Sequence, residues 1–201
     1  MTDTDITVSN GALGRLGLSS ISDFTSSDKA KIVGAIYPKY INTLLSMYPW
    51  RFARQKSSSL TATTAPTYGR EYAYTLPADF LTIVNVYDSA SINPVARTDY
   101  EIFGTVLHSD ASTVYIDYIY AVDEDNWPDW FQNFVSTALA AVLAYPLLED
   151  AQKENYWRQV AFGTPNENGE GGIYKQCKGI DARNQPLKRL KGQSLLAARF
   201  S

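Results

Sequence analysis

The chain of 201 residues contains one cysteine, Cys177, and one histidine, His108. A lone cysteine excludes an intrachain disulfide and any cysteine-based metal site. A lone histidine leaves Ser-His-Asp and Cys-His catalysis a single residue to run through, and the common zinc sites need more His or Cys than the chain holds. No apolar run approaches the length of a transmembrane helix. The opening Met1-Thr2-Asp3-Thr4-Asp5 is acidic, with no basic stretch before an apolar one. No secretory signal is read there, and the chain is expected to be made in the cytoplasm. Charged residues are only 19% of the chain, beside 45% apolar residues, which argues against disorder throughout.

Aromatic residues are plentiful instead. They reach 13%, and 14 of them are Tyr, an amphipathic residue common at protein interfaces. Charge is unevenly spread. Residues 175–201 carry +6, which leaves −9 on residues 1–174 within a total of −3. An acidic body with a basic tail suggests an interaction arm. Residues 163–174, rich in Gly, Asn and Glu, read as a linker before that arm.

Periodicity predicts helices over about 5–16 and 27–48, a β insertion over about 57–120, and helices over about 128–145 and 150–162. Gly17 stands where a C′ glycine belongs, and Thr25-x-x-Asp28 is a variant capping pattern. Pro38 should kink the second helix, Pro49 should end it, and Pro146 should interrupt the helix that begins near Pro128. Asn126 or Asp125 suits the cap of that later helix. Within the insertion, residues 72–76, 80–87 and 113–120 read as strands, 57–64 as an edge strand or loop, and 100–108 as a shorter strand or a turn. The fold class is α+β: a mainly helical bundle with an inserted small antiparallel β region and an extended C-terminal arm.

Few residues suggest chemistry. Asp123-Glu124-Asp125 with Asp129 could bind a metal or act as an acid/base pair, but a polar loop with negative charge at a helix start explains them more simply. His108 beside Ser109 and Asp110 reads as a surface residue. Gly11, Gly14 and Gly17 have neither the spacing nor the preceding strand of a phosphate loop. Cys177 reads as an incidental thiol. The tail mixes Lys188, Arg189, Lys191 and Arg199 with Leu190, Leu195, Leu196 and Phe200. Docking on another protein fits these apolar anchors best. Nucleic-acid binding through phosphates and a solvated tail are the competing readings.

The order of residues also resembles a family. Asn10-Gly11-Ala12-Leu13-Gly14-Arg15-Leu16-Gly17, then Ile21 and Ala30, then Leu44-Leu45-Ser46-Met47-Tyr48-Pro49-Trp50-Arg51-Phe52-Ala53 is similar to the opening of head-to-tail adaptors of short-tailed bacteriophages, of the tail tubular protein A and DNA-stabilisation (head-completion) type. Tyr74-Thr75-Leu76-Pro77-Ala78-Asp79-Phe80-Leu81, residues 115–120, Trp127-Pro128-Asp129-Trp130-Phe131 and residues 139–144 extend the match over about 6–162. Tyr48, Pro49, Trp50 and Phe52 form its most specific element, read here as a structural core motif. The resemblance implies a structural virion protein at the head-tail connector, made in the host cytoplasm. It implies a ring of 12 copies that binds the portal protein and receives the tail nozzle (tail tubular protein B-like). Packaged double-stranded DNA would pass through the lumen without sequence-specific contact, and no membrane is involved. The arm on the portal would comprise Lys188, Arg189, Leu190, Lys191, Leu195, Leu196, Arg199 and Phe200. No catalytic, metal or cofactor residue and no enzymatic activity is implied. The alternative reading is a soluble nucleic-acid-binding module that acts through the basic tail.

Overall fold

The computed structural model describes residues 3–184. Among them the fold is α+β, with five α-helices and two small antiparallel sheets. Helices α1 (Asp3–Arg15) and α2 (Asp28–Ser46) precede the β region. Helices α3 (Asp129–Leu148), α4 (Ala151–Phe162) and α5 (Gly172–Arg183) follow it.

Local chemistry sets these boundaries. Gly17 adopts a positive φ of 75°, and the Leu18 N–H reaches back to the Leu13 carbonyl at 2.9 Å, which closes α1 with a Schellman turn. Asn10 then clamps the returning chain: its side chain accepts the Ile21 N–H at 2.8 Å and donates to the Ile21 carbonyl at 2.9 Å. The cap of α2 is Ser27, whose Oγ accepts from the Ala30 N–H, while Asp23 accepts the Thr25 and Ser26 N–H groups just before it. Helix α2 continues through Pro38 to Ser46.

Two expectations about α3 need correction. Pro146 does not interrupt it: the helix runs to Leu148 and ends at Glu149 in the left-handed region. So close to the C-terminal end, the missing N–H removes a bond only from the last turns. Neither Asn126 nor Asp125 caps the start. Both lie in the 3-10 turn Glu124–Asn126, the cap position is Pro128, and Thr4 Oγ1 donates to Asp125.

Seven strands lie between the helix groups. The first sheet has the order β1 (Arg54–Lys56), β7 (Tyr115–Tyr120), β4 (Phe80–Tyr87). The second has the order β2 (Thr61–Ala62), β3 (Tyr72–Thr75), β6 (Val106–Ser109), β5 (Tyr100–Phe103). The insertion thus starts at Arg54, three residues before its expected start. Residues 100–109 form a hairpin in which Phe103 faces Val106.

Strand β7 is shared by two cores. Its Ile119 belongs to the large cluster that α1–α5 build, while Ile116 and Tyr118 belong to a second cluster with Tyr74, Val86, Leu107 and Val114. Alternation along a strand is what allows one segment to serve both. Helix α3 supplies the centre of the large cluster, where Ala138, Ala140 and Ala144 are buried. It is long and apolar enough to cross a membrane by length and composition, but 61% of its most apolar window is buried inside this fold.

The strongest correction concerns the C-terminal side. Residues 163–174, read as a linker, and 175–183, read as the start of an arm, are part of the body. Thr164 and Glu167 form a capping box around the 3-10 turn Pro165–Glu167. Gly172 sits at a φ of 58° with Val160's carbonyl only 2.5 Å from where a Cβ would lie. The glycines therefore build a tight turn that returns α5 to the core, where Tyr174, Cys177 and Asp181 are buried.

Candidate functional site

Pro49 cannot extend α2, and the chain after it folds back on itself. The Trp50 N–H reaches the Tyr48 carbonyl at 2.7 Å, and the Ala53 N–H reaches the Trp50 carbonyl at 3.2 Å. This tight turn drives Trp50 under the end of α2, where it is fully buried. Its ring meets Phe131 edge-on at 5.1 Å and Tyr48 at 4.8 Å, and it lies 6.0 Å from Tyr174. Phe52, half-buried, packs against Phe131 at 4.7 Å and Trp130 at 5.7 Å. Phe134 stacks on Tyr174 at 5.5 Å. Aromatic pairs at these separations add to the gain from burial itself. The joint ties α2, α3 and α5 together.

Its polar edges are also matched. The last carbonyls of a helix have no partner within it. Trp50 Nε1 donates to the Leu44 carbonyl at 3.1 Å, and the Tyr174 hydroxyl donates to the Met47 carbonyl at 3.1 Å. Asp181 on α5 accepts the Arg51 N–H at 3.1 Å, with Arg51 Nε 3.7 Å away. Burial pushes the Asp181 carboxyl above the usual carboxylate range, against the pull of Arg51. Burial likewise pushes the Cys177 thiol up to about 11, and its Sγ faces the Trp130 carbonyl at 3.5 Å. That environment keeps the thiol protonated and unreactive at neutral pH.

The remaining sequence candidates fall apart as a chemical site. His108 lies on β6 beside the ring of Phe103, at 5.1 Å. Gly11 lies inside α1 where it approaches Ser136 of α3, Gly14 lies in the same helix, and Gly17 ends it. Gly11 serves packing and Gly17 serves capping. Asp123, Glu124 and Asp125 lie in and beside the 3-10 turn, and among the described residues no group of three or more His, Cys, Asp or Glu could hold a metal ion. The proposed arm residues Lys188, Arg189, Leu190, Lys191, Leu195, Leu196, Arg199 and Phe200 all lie outside the described residues.

Tyrosine is used inward as well as outward. The hydroxyls of Tyr37, Tyr74, Tyr87 and Tyr118 donate to Glu124, the Ala111 carbonyl, Asp117 and Asp79. Exposed apolar side chains remain at Tyr68, Ile92, Val95 and Phe103 on the β region, and at Tyr145 and Tyr156 on the helices. The sequence reading missed Tyr174 and Asp181 as partners of the Trp50 turn. Their signal was the spacing of Tyr174, Cys177 and Asp181 along one helix face, hidden behind a glycine-rich approach.

No protein-family model matches the chain, and no curated protein matches it.

Proposed function

We propose that the chain is a head-to-tail adaptor of a short-tailed bacteriophage: a structural virion protein, not an enzyme, that forms a ring beneath the portal, connects the DNA-filled head to the tail, extends the DNA channel and helps retain the genome. The observation that carries this reading is the aromatic joint. Residues 48–53, the most specific element of the resemblance, and residues 127–131, a further part of it, are far apart in sequence yet meet where Trp50 and Phe52 pack on Phe131. A shared fold leaves such a pattern because its members serve one packing task.

Charge supports the same reading. Residues 185–201 hold four cations and no acid, which leaves residues 1–184 at −7. An acidic ring wall lets DNA slide, since like charges repel. Exposed apolar residues on both the helical and β sides suit subunit contacts. A closed ring needs two different, complementary faces on each subunit. Leu190, Leu195, Leu196 and Phe200 would anchor the arm on the portal, with Lys188, Arg189, Lys191 and Arg199 beside them.

The test is native mass spectrometry of the protein mixed with the portal ring of its own virus. Full-length chain is compared with a chain ending at Asn184, which keeps α5 in the core. Full-length protein should add about one copy per portal subunit, as matched cyclic symmetry requires, and the shortened chain should not. Should neither bind while full-length protein retards duplex DNA, with affinity falling steeply as salt rises, the adaptor reading fails and the nucleic-acid-binding module replaces it.

A further inference from the structure

A groove of about 250 Å³ lies where α1, α2 and the 3-10 turn before α3 meet. Ile41, Leu45 and Val122 give it an apolar floor, and Asp5, Asp123 and Glu124 bring carboxyl groups to it. Its volume falls below the roughly 300–1,000 Å³ usual for small-molecule sites, which suits one or two side chains of a peptide. Lys, Arg and His are missing from its described lining. Three other grooves differ in this respect: Lys56 lines two of them and Arg158 the third. The acidity extends past the groove, since residues 123–129 hold Asp123, Glu124, Asp125 and Asp129 and no cation. None of these four forms an ion pair among the described residues, whereas Asp110, Asp117, Asp150 and Glu170 each do.

The same chain carries the complement. Residues 185–201 hold Lys188, Arg189, Lys191 and Arg199 and no acid, and three of these cations flank one leucine in Lys188-Arg189-Leu190-Lys191. We propose that residues 188–191 dock in this groove of their own chain, with Leu190 on the apolar floor and the three cations against the acidic rim. Opposite charge selects the groove and sets the register, and burial of the leucine adds apolar contact.

The path from α5 to the groove is short. Asp181, in the last turn of α5, accepts the Arg51 N–H at 3.1 Å. Two residues on, the Ala53 carbonyl accepts the Tyr120 N–H at 3.0 Å, and the next residues, Ala121 and Val122, line the groove. Leu190 lies six residues beyond Asn184. At about 3.3 Å per extended residue, those six residues reach about 20 Å. Leu195, Leu196 and Phe200 lie further along the sequence and are left for another partner. In an adaptor, the clasp would hold the arm against its own body until the portal draws it out.

The experiment puts a nitroxide spin label on the full chain at Gln193→Cys and reads the methyl NMR signals. Cys177 is buried with a protonated thiol, so the label goes to the new cysteine. Docking should bleach the methyl signals of Ile41, Leu45 and Val122 and spare those of Leu60 and Leu76, which line another groove. Adding Asp123→Lys or Leu190→Ser should restore the bleached signals several-fold, and 1 M salt, where the Debye length is about 3 Å, should weaken the bleaching. No bleaching at Ile41, Leu45 and Val122 overturns the proposal, and so does bleaching centred on Leu60 and Leu76. Spin-labelled chains mixed with isotope-labelled, unlabelled-cysteine chains separate the two sources of a tail: bleaching of equal strength in that mixture assigns the groove to a second copy and overturns docking within one chain. The free protein is used throughout, so failure here leaves the portal test standing.

Discussion

Trp50 shows how one side chain can close a helix end and a core together. Its ring fills the space between α2, α3 and α5, and its Nε1 satisfies a carbonyl that α2 leaves unpaired. The two roles separate by substitution. Trp50→Ala removes both and should cost about 3–5 kcal/mol. Trp50→Phe keeps most of the packing but leaves the Leu44 carbonyl without its donor, a loss of about 1–3 kcal/mol. Urea unfolding monitored by circular dichroism reads both, and a Trp50→Phe loss near zero would mean that the indole N–H contributes nothing. Trp50 was legible as a core residue in the sequence, because Tyr48 and Phe52 flank it after a proline stop. Asp181 was not: its spacing from Tyr174 and Cys177 marks one helix face, but a carboxylate there reads as exposed, and only the fold brings it to the Arg51 N–H.

At the scale of elements, periodicity located α1 through α4 and strands β3, β4 and β7. It failed where composition misled. Residues 163–172 look like a linker because glycine is usually permissive, yet here Gly172 is required by its φ of 58° and by the nearness of the Val160 carbonyl. Strand β1 was missed for a related reason. Arg54-Gln55-Lys56 is polar, and its pairing partner, β7, is remote in sequence. Only tertiary context makes it a strand. The glycine turn can be tested. Gly172→Ala adds backbone strain of about 1–3 kcal/mol, and the colliding carbonyl adds more. Helix α5 should loosen from the body, and Cys177, buried in the native protein, should react with a thiol reagent many times faster than before. Unchanged Cys177 reactivity would show that the turn absorbs the methyl group.

For the molecule as a whole, two cores meet at one strand. The second cluster reaches the helical body through β7, whose opposite faces carry Ile116 and Ile119. Leu107, fully buried in that second cluster, therefore reports on the β region. Leu107→Ala should cost about 2–5 kcal/mol. Hydrogen exchange should speed up chiefly in β2, β3, β5 and β6, with α1 and α3 still protected. Uniform acceleration would mean that the two cores open together. The same arrangement has a kinetic side. Helix α1 packs on α3, but the whole β region separates them in the chain. At ribosomal speeds of about 5–20 residues per second, the apolar face of α1 waits on the order of ten seconds for its partner to be synthesised. A newly made chain therefore passes through a sticky adolescence, and a cell that runs short of chaperones should lose this protein to aggregates before it loses proteins whose neighbouring helices are also neighbours in sequence.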